Sequence, residues 1–120
     1  MIRFTFALVL FALALTNSAS AGTADVLKAK AKQSNRQTWQ VSATIKHGDT
    51  GWDHYANGFE VLAPDGRVLA TRVLHHPHVN EQPFTRSVSV TIPQEISHIT
   101  IRATDSVHGS GGAEVTVKLR

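Results

Sequence analysis

A chain of 120 residues with seven histidines and no cysteine excludes disulfides, thiolate catalysis, thiolate metal ligation and lipid attachment at a cysteine. The net charge of +3 is local: residues 22–38 carry a net +3 and Trp39 onward a net −1. The basic character therefore belongs to an N-terminal arm, and without aromatic and basic residues interleaved along the domain, nucleic acid is not an expected partner.

The chain opens with Arg3 and the apolar run Phe4–Leu15, followed by Ala19-Ser20-Ala21, a small-x-small cleavage motif before Gly22. This is the layout of a secretory signal peptide, and the run is too short for a membrane span. The expectation is a leader over residues 1–21, cleavage after Ala21, and a periplasmic or secreted protein. Residues 22–38 read as a basic linker or short helix: Thr23 can cap the turns, but Ala24, Leu27 and Ala31 make a thin apolar face.

From Trp39 the apolar period becomes two. Trp39, Val41, Ala43 and Ile45 alternate with polar residues as a half-buried strand. Phe59–Ala63 forms a second strand, ended by the Pro64-Asp65-Gly66 turn. Arg67–Leu74 makes a third of uncertain register, Phe84–Ile92 a fourth stopped by Pro93, Ile99–Ala103 a fifth, and Ala113–Leu119 a sixth. Arg72 and Arg86 break their strand patterns and are assigned to the outer face. Six or seven short strands without an intervening helix predict an all-β, immunoglobulin-like antiparallel sandwich over residues 39–120.

If successive strands alternate in direction, loops 46–54, 75–83 and 105–112 share one pole. That pole gathers His47, His54, His75, His76, His78 and His108 together with Asp49, Asp53, Glu81 and Asp105; His98 falls outside it. Neutral imidazoles supplemented by carboxylate are ligands for first-row transition metals. In His76-Pro77-His78, the extended backbone that Pro77 favours puts both rings on one side. Asp105 and His108 are three residues apart across a turn, and the neighbouring acids can orient the rings as hydrogen-bond acceptors. The candidate metal ligands are His47, His54, Asp105, His108, His76 and His78. Trp52, Tyr55 and Phe84 either close the end of the core or line a pocket there.

His54-Tyr55, followed by Phe59-Glu60-Val61-Leu62 and Asp65-Gly66, resembles the H-Y-x-x-W-I-E-V-L-x-D-G run of superoxide reductases (desulfoferrodoxin iron-binding domains). Arg102–Gly109 resembles that family's R-A-Y-C-N-x-H-G segment, and His47 precedes His54 by seven, close to its H-P-M-x-x-x-H spacing. The resemblance spans about Val41 to Gly112. It implies an immunoglobulin-like sandwich holding one iron through four planar histidines and an axial cysteine, with His47, His54 and His108 matching three of the histidines. Asp105 stands where the cysteine would be, and no histidine between Gly22 and Ile45 matches the earliest ligand; His75, His76 or His78 can substitute for it in space. A carboxylate in place of thiolate makes a bound iron more Lewis-acidic and changes its potential, and the same donors suit copper, zinc or manganese. The functional expectation is an exported metal-binding protein, iron the first choice, with a redox role towards superoxide or peroxide. The alternatives are a non-enzymatic binding module that meets a protein or small ligand through Trp52, Tyr55 and loop 75–83, and a metal storage or delivery protein.

Overall fold

The computed structural model describes residues 22–120; the expected leader, residues 1–21, lies outside the described residues. Seven strands form the domain: β1 (Asp25–Gln33), β2 (Thr38–Lys46), β3 (Ala56–Leu62), β4 (Val68–Val73), β5 (Phe84–Thr91), β6 (His98–Asp105) and β7 (Val115–Lys118). They make two antiparallel sheets in the orders β1-β2-β5 and β4-β3-β6-β7, so the expectation of an all-β sandwich holds. Among the described residues no helix is long and apolar enough to cross a membrane.

The alternation read from the sequence positions the core. Val41, Ala43 and Ile45 of β2 face Phe59 and Val61 of β3 and Ile99 and Ile101 of β6 across the interior, and all are almost inaccessible to solvent. On the opposite face of the first sheet, hydroxyl pairs join β2 to β5: Ser42 to Ser87 and Thr44 to Thr85, each at 2.8 Å. β4, whose register the sequence left open, is a sheet edge with Val68 and Val73 exposed. An edge strand has a hydrogen-bonded neighbour on one side only, and the register shift opposite Val68–Ala70 breaks the simple alternation.

Residues 22–38 depart from the linker or helix expectation. Asp25–Gln33 is a full strand paired with β2 from Asp25↔Lys46 to Gln33↔Trp39. Its Lys-Ala-Lys-Ala run is a period-two pattern whose small apolar members lie against the core. A register shift between Val26 and Lys28 leaves Leu27 exposed, which weakens the apolar signal. The folded domain thus begins before Trp39.

The start of β1 is also held by the far end of the chain. Val26 N donates to Ala113 O (2.9 Å), Ala113 N donates to Asp25 Oδ1 (2.8 Å), and Ala24 is fully buried. Gly112 sits so tightly on this strand that a Cβ there would lie 2.0 Å from the Ala24 carbonyl oxygen. Gly112→Ala must displace backbone, and the expected loss is about 1–3 kcal/mol, read from the urea midpoint at unchanged slope.

Candidate metal centre

Three connections meet at one pole, as strand alternation requires. The β2–β3 loop turns at Gly51, whose φ of 141° an L-residue rarely adopts. The turn closes with Thr50 N donating to His54 O (3.0 Å) and His54 N donating to Gly51 O (3.2 Å). At the end of β6, Asp105 N donates to Gly109 O (2.9 Å) and Gly109 N to Asp105 O (3.1 Å), folding His108 back beside Asp105. The pairing Ala56↔Asp105 between β3 and β6 sets His54 next to that carboxylate.

The polar atoms at this pole form a continuous row. His47 Nε2 lies 3.3 Å from His54 Nε2, His54 Nε2 lies 3.0 Å from Asp105 Oδ1, and His108 Nδ1 lies 3.3 Å from the same oxygen. One ligand atom from each of His47, His54 and Asp105 falls within 4.8 Å of the other two, a group able to hold a metal ion. Metal–nitrogen bonds of about 2.1 Å place neighbouring ligands of a tetrahedral or octahedral shell roughly 3.0–3.4 Å apart, the spacing of His54 Nε2 from His47 Nε2 and from Asp105 Oδ1. His47 and Asp105 are fully buried, His54 is slightly open, and the His108 side chain is 43% exposed.

Two details test how well these residues suit a cation. His47 Nδ1 donates to Asp49 Oδ1 at 2.6 Å, while His47 Nε2 lies 2.8 Å from the Gly22 carbonyl oxygen. A neutral ring carries one N–H and satisfies one of these two acceptors; a cation at Nε2 satisfies the other side and leaves the proton on Nδ1. Asp105 Oδ2 is buried and has no hydrogen-bond partner among the described residues, a costly arrangement for a carboxylate unless something positive completes it. On both counts the residues fit a metal ion.

Asp105 is held ready in its charged form. Burial pushes its carboxyl up, but the backbone N–H groups of His108 and Val107, the His54 bond and the nearby His108 outweigh that and hold it below the ordinary carboxylate range. Those amides donate to Oδ1 at 2.7 and 2.9 Å.

Asp49 organises the pole from behind. Besides His47, its Oδ1 accepts from Ala56 N (3.0 Å) and its Oδ2 from His78 N (2.7 Å), tying the first loop to the second. Gln82 adds a further tie, accepting from His47 N and donating to His78 O. Its sequence signal is faint, because a lone glutamine in a polar loop resembles any other.

The remaining candidates divide. His76 and His78 do not join the cluster. The His78 ring stacks on Phe84 (centroids 4.1 Å apart, planes at 10°), and its Nε2 lies 3.0 Å from Arg86 Nη2, which donates to it. His76 lies beside His78, its ring 5.2 Å away, and is exposed. Arg86 and Arg72 are not outer-face residues. Arg86 pairs with Ala43, on the inward parity of β5, and Arg72 Nη1 donates to Ser87 O at 2.8 Å across the gap between the edge strands. Phe84 belongs to the core, whereas Trp52 is 67% exposed and meets Tyr55 edge-on.

Burial and the adjacent guanidinium together push the His78 imidazole below its ordinary value. Because the folded-state value is the lower one, His78 favours folding fully above about pH 6.5, and that contribution fades as pH falls further. His78→Gln keeps the backbone N–H that Asp49 needs. In chelated protein its melting temperature is expected to fall less than wild type between pH 6.5 and 5, as followed by circular dichroism.

Comparison with known proteins finds similarity to a protein of unassigned role. No family model matches the sequence, and no solved structure matches it. Over 94 residues, 78% of this chain, the sequence is 32% identical to a protein of Halomicrobium mukohataei named "Putative lipoprotein". The chain spans 46% of that protein's length.

Proposed function

We propose that the protein is an exported metal-binding protein that holds one first-row transition ion through His47, His54 and Asp105, with His108 on the solvent side. The observation that carries this reading is the convergence of two imidazole nitrogens and a buried carboxylate within 4.8 Å. Asp49 supports it by holding the His47 ring with Nε2 turned to the cluster. Export rests on the apolar leader and small-x-small motif, and the name of the Halomicrobium mukohataei relative agrees with it.

Iron is the first choice of metal, on the resemblance to the superoxide reductase iron domain and its immunoglobulin-like sandwich. A bound iron would supply one-electron chemistry towards superoxide or peroxide. The chain's own contribution is a hard, charged oxygen at Asp105 in the place of a thiolate, which lowers electron donation to the ion and suits copper, zinc or manganese as well. His47 and Asp105 form the dry side of the site, and the partly open His54 and His108 leave access from solvent.

Protein purified without chelator is expected to carry or take up one ion per chain when offered Fe(II), Cu(II) and Zn(II) in turn, as read by elemental analysis. A ligand that binds only the folded state raises the melting temperature as its concentration passes Kd. Substoichiometric metal with all three ions would end this reading. The exposed Trp52 favours one second reading, a binding module for a protein partner; under it His54→Ala and His108→Ala leave thermal stability insensitive to metal, as in wild type.

A further inference from the structure

The expected processing site and the candidate metal centre meet at a single residue. Gly22 follows Ala19-Ser20-Ala21 in the sequence, and its carbonyl oxygen lies 2.8 Å from His47 Nε2. That nitrogen is also the one 3.3 Å from His54 Nε2.

The placement follows from the fold. β1 starts where β2 ends, with Asp25 opposite Lys46 and Val26 opposite Ile45, so the residues before Asp25 run alongside His47. Buried Ala24 and the bonds to Ala113 clamp this approach, and the Thr23 methyl lies beside Gly111. Gly22 is carried to the pole by a strand paired with β2 along one side and held at its start by Ala113 on the other.

Standard bond lengths and angles keep the amino nitrogen of a residue within about 3.6 Å of its own carbonyl oxygen. While the chain continues to Ala21, the Gly22 nitrogen is an amide, with no lone pair to offer a cation. Hydrolysis of the Ala21–Gly22 peptide bond by a leader peptidase consumes one water. The hydroxyl goes to the Ala21 carbonyl carbon, which leaves as a carboxylate, and the nitrogen stays on Gly22 as a primary amine. Once that amine sheds its proton, its lone pair and the Gly22 carbonyl oxygen are spaced to close a five-membered chelate ring on one cation.

We propose that cleavage after Ala21 completes the metal centre, the freed α-amino nitrogen of Gly22 becoming a ligand beside His47, His54 and Asp105. The proposal rests on the metal-binding reading above and adds its regulation: the precursor holds an incomplete site, and full affinity appears only in the processed chain. The side chain at position 22 plays no part, since a Cβ there would meet nothing within 4 Å.

The test compares two forms: a chain beginning at Gly22 and one retaining Ser20-Ala21 ahead of it. Each is titrated with Cu(II) and with Zn(II) by calorimetry against a competing chelator, and the Cu(II) forms are examined by electron paramagnetic resonance with and without 15N at residue 22. The Gly22-start chain is expected to bind at least tenfold more tightly than the extended chain, and its spectrum, unlike that of the extended chain, should respond to the isotope. Equal affinity in the extended and Gly22-start forms, with His54→Ala weakening both, would overturn the amine ligand and leave the metal centre standing. Absence of binding in every form would overturn both. A mass for the exported protein that places its N-terminus elsewhere than Gly22 would also overturn the proposal.

Discussion

His54→Ala is expected to weaken metal binding at least tenfold while leaving the metal-free fold nearly intact. The ring bridges His47 and Asp105 at 3.3 and 3.0 Å, so its loss splits the donor set. Its side chain is partly open and sits in a loop outside the core, so the chelated protein should lose only about 1 kcal/mol or less. Each tenfold loss of affinity removes about 1.4 kcal/mol of metal-induced stabilisation at saturating metal. For a domain of this size that corresponds to roughly 4–8 °C per kcal/mol in Tm. Thermal melts with chelator and with excess Zn(II) check both halves. A wild-type metal response retained by the variant would remove His54 from the site.

The largest effect on the fold itself is expected from Asp49→Ala. One buried carboxylate accepts from His47 Nδ1, Ala56 N and His78 N. Truncation leaves three donors facing a dry space, and each unsatisfied buried group costs about 1–3 kcal/mol. A loss of about 3–5 kcal/mol is expected in chelated protein, a large part of a small domain's stability. Asp49→Asn separates the two duties of the residue. Its single carbonyl oxygen still accepts from part of the set, so the fold suffers less, while the His47 ring loses its charged anchor and metal affinity drops about 10–100-fold. Asp49→Ala with unchanged urea stability would show that the three donors find water instead.

These effects depend on tertiary meetings that were unequally visible in the chain. Alternation at Trp39–Ile45 and at Ile99–Ala103, and the Pro64-Asp65-Gly66 turn, come from local rules, and the strands and the turn form where those rules place them. The meeting of His47, His54 and Asp105 followed from strand direction, because in an alternating sheet the connections after β2 and β6 return to the same end. The β1 strand was hidden because alanine and lysine favour helix on their own, and here pairing with β2 and the clasp by Ala113 override that preference. His78 and Arg86 were misplaced for a different reason. Arg86, a polar residue on an inward parity, reads as surface until its partner is known, and His78, a loop histidine two residues from His76, reads as a ligand until its stacking on Phe84 and its bond to Arg86 are known. The Gly22 carbonyl left no trace in composition or spacing, since any residue type supplies the same atom.

The clasp between Asp25 and Ala113 spans 88 positions of sequence, and this bears on the order in which the molecule can assemble. β1 can pair with β2 as soon as that strand follows, but the fastening of its start to Ala113 waits until almost the last residues have emerged. Joining such distant positions carries a loop-closure cost, and contacts of long sequence separation slow folding, so this corner of the domain is expected to be the last to close.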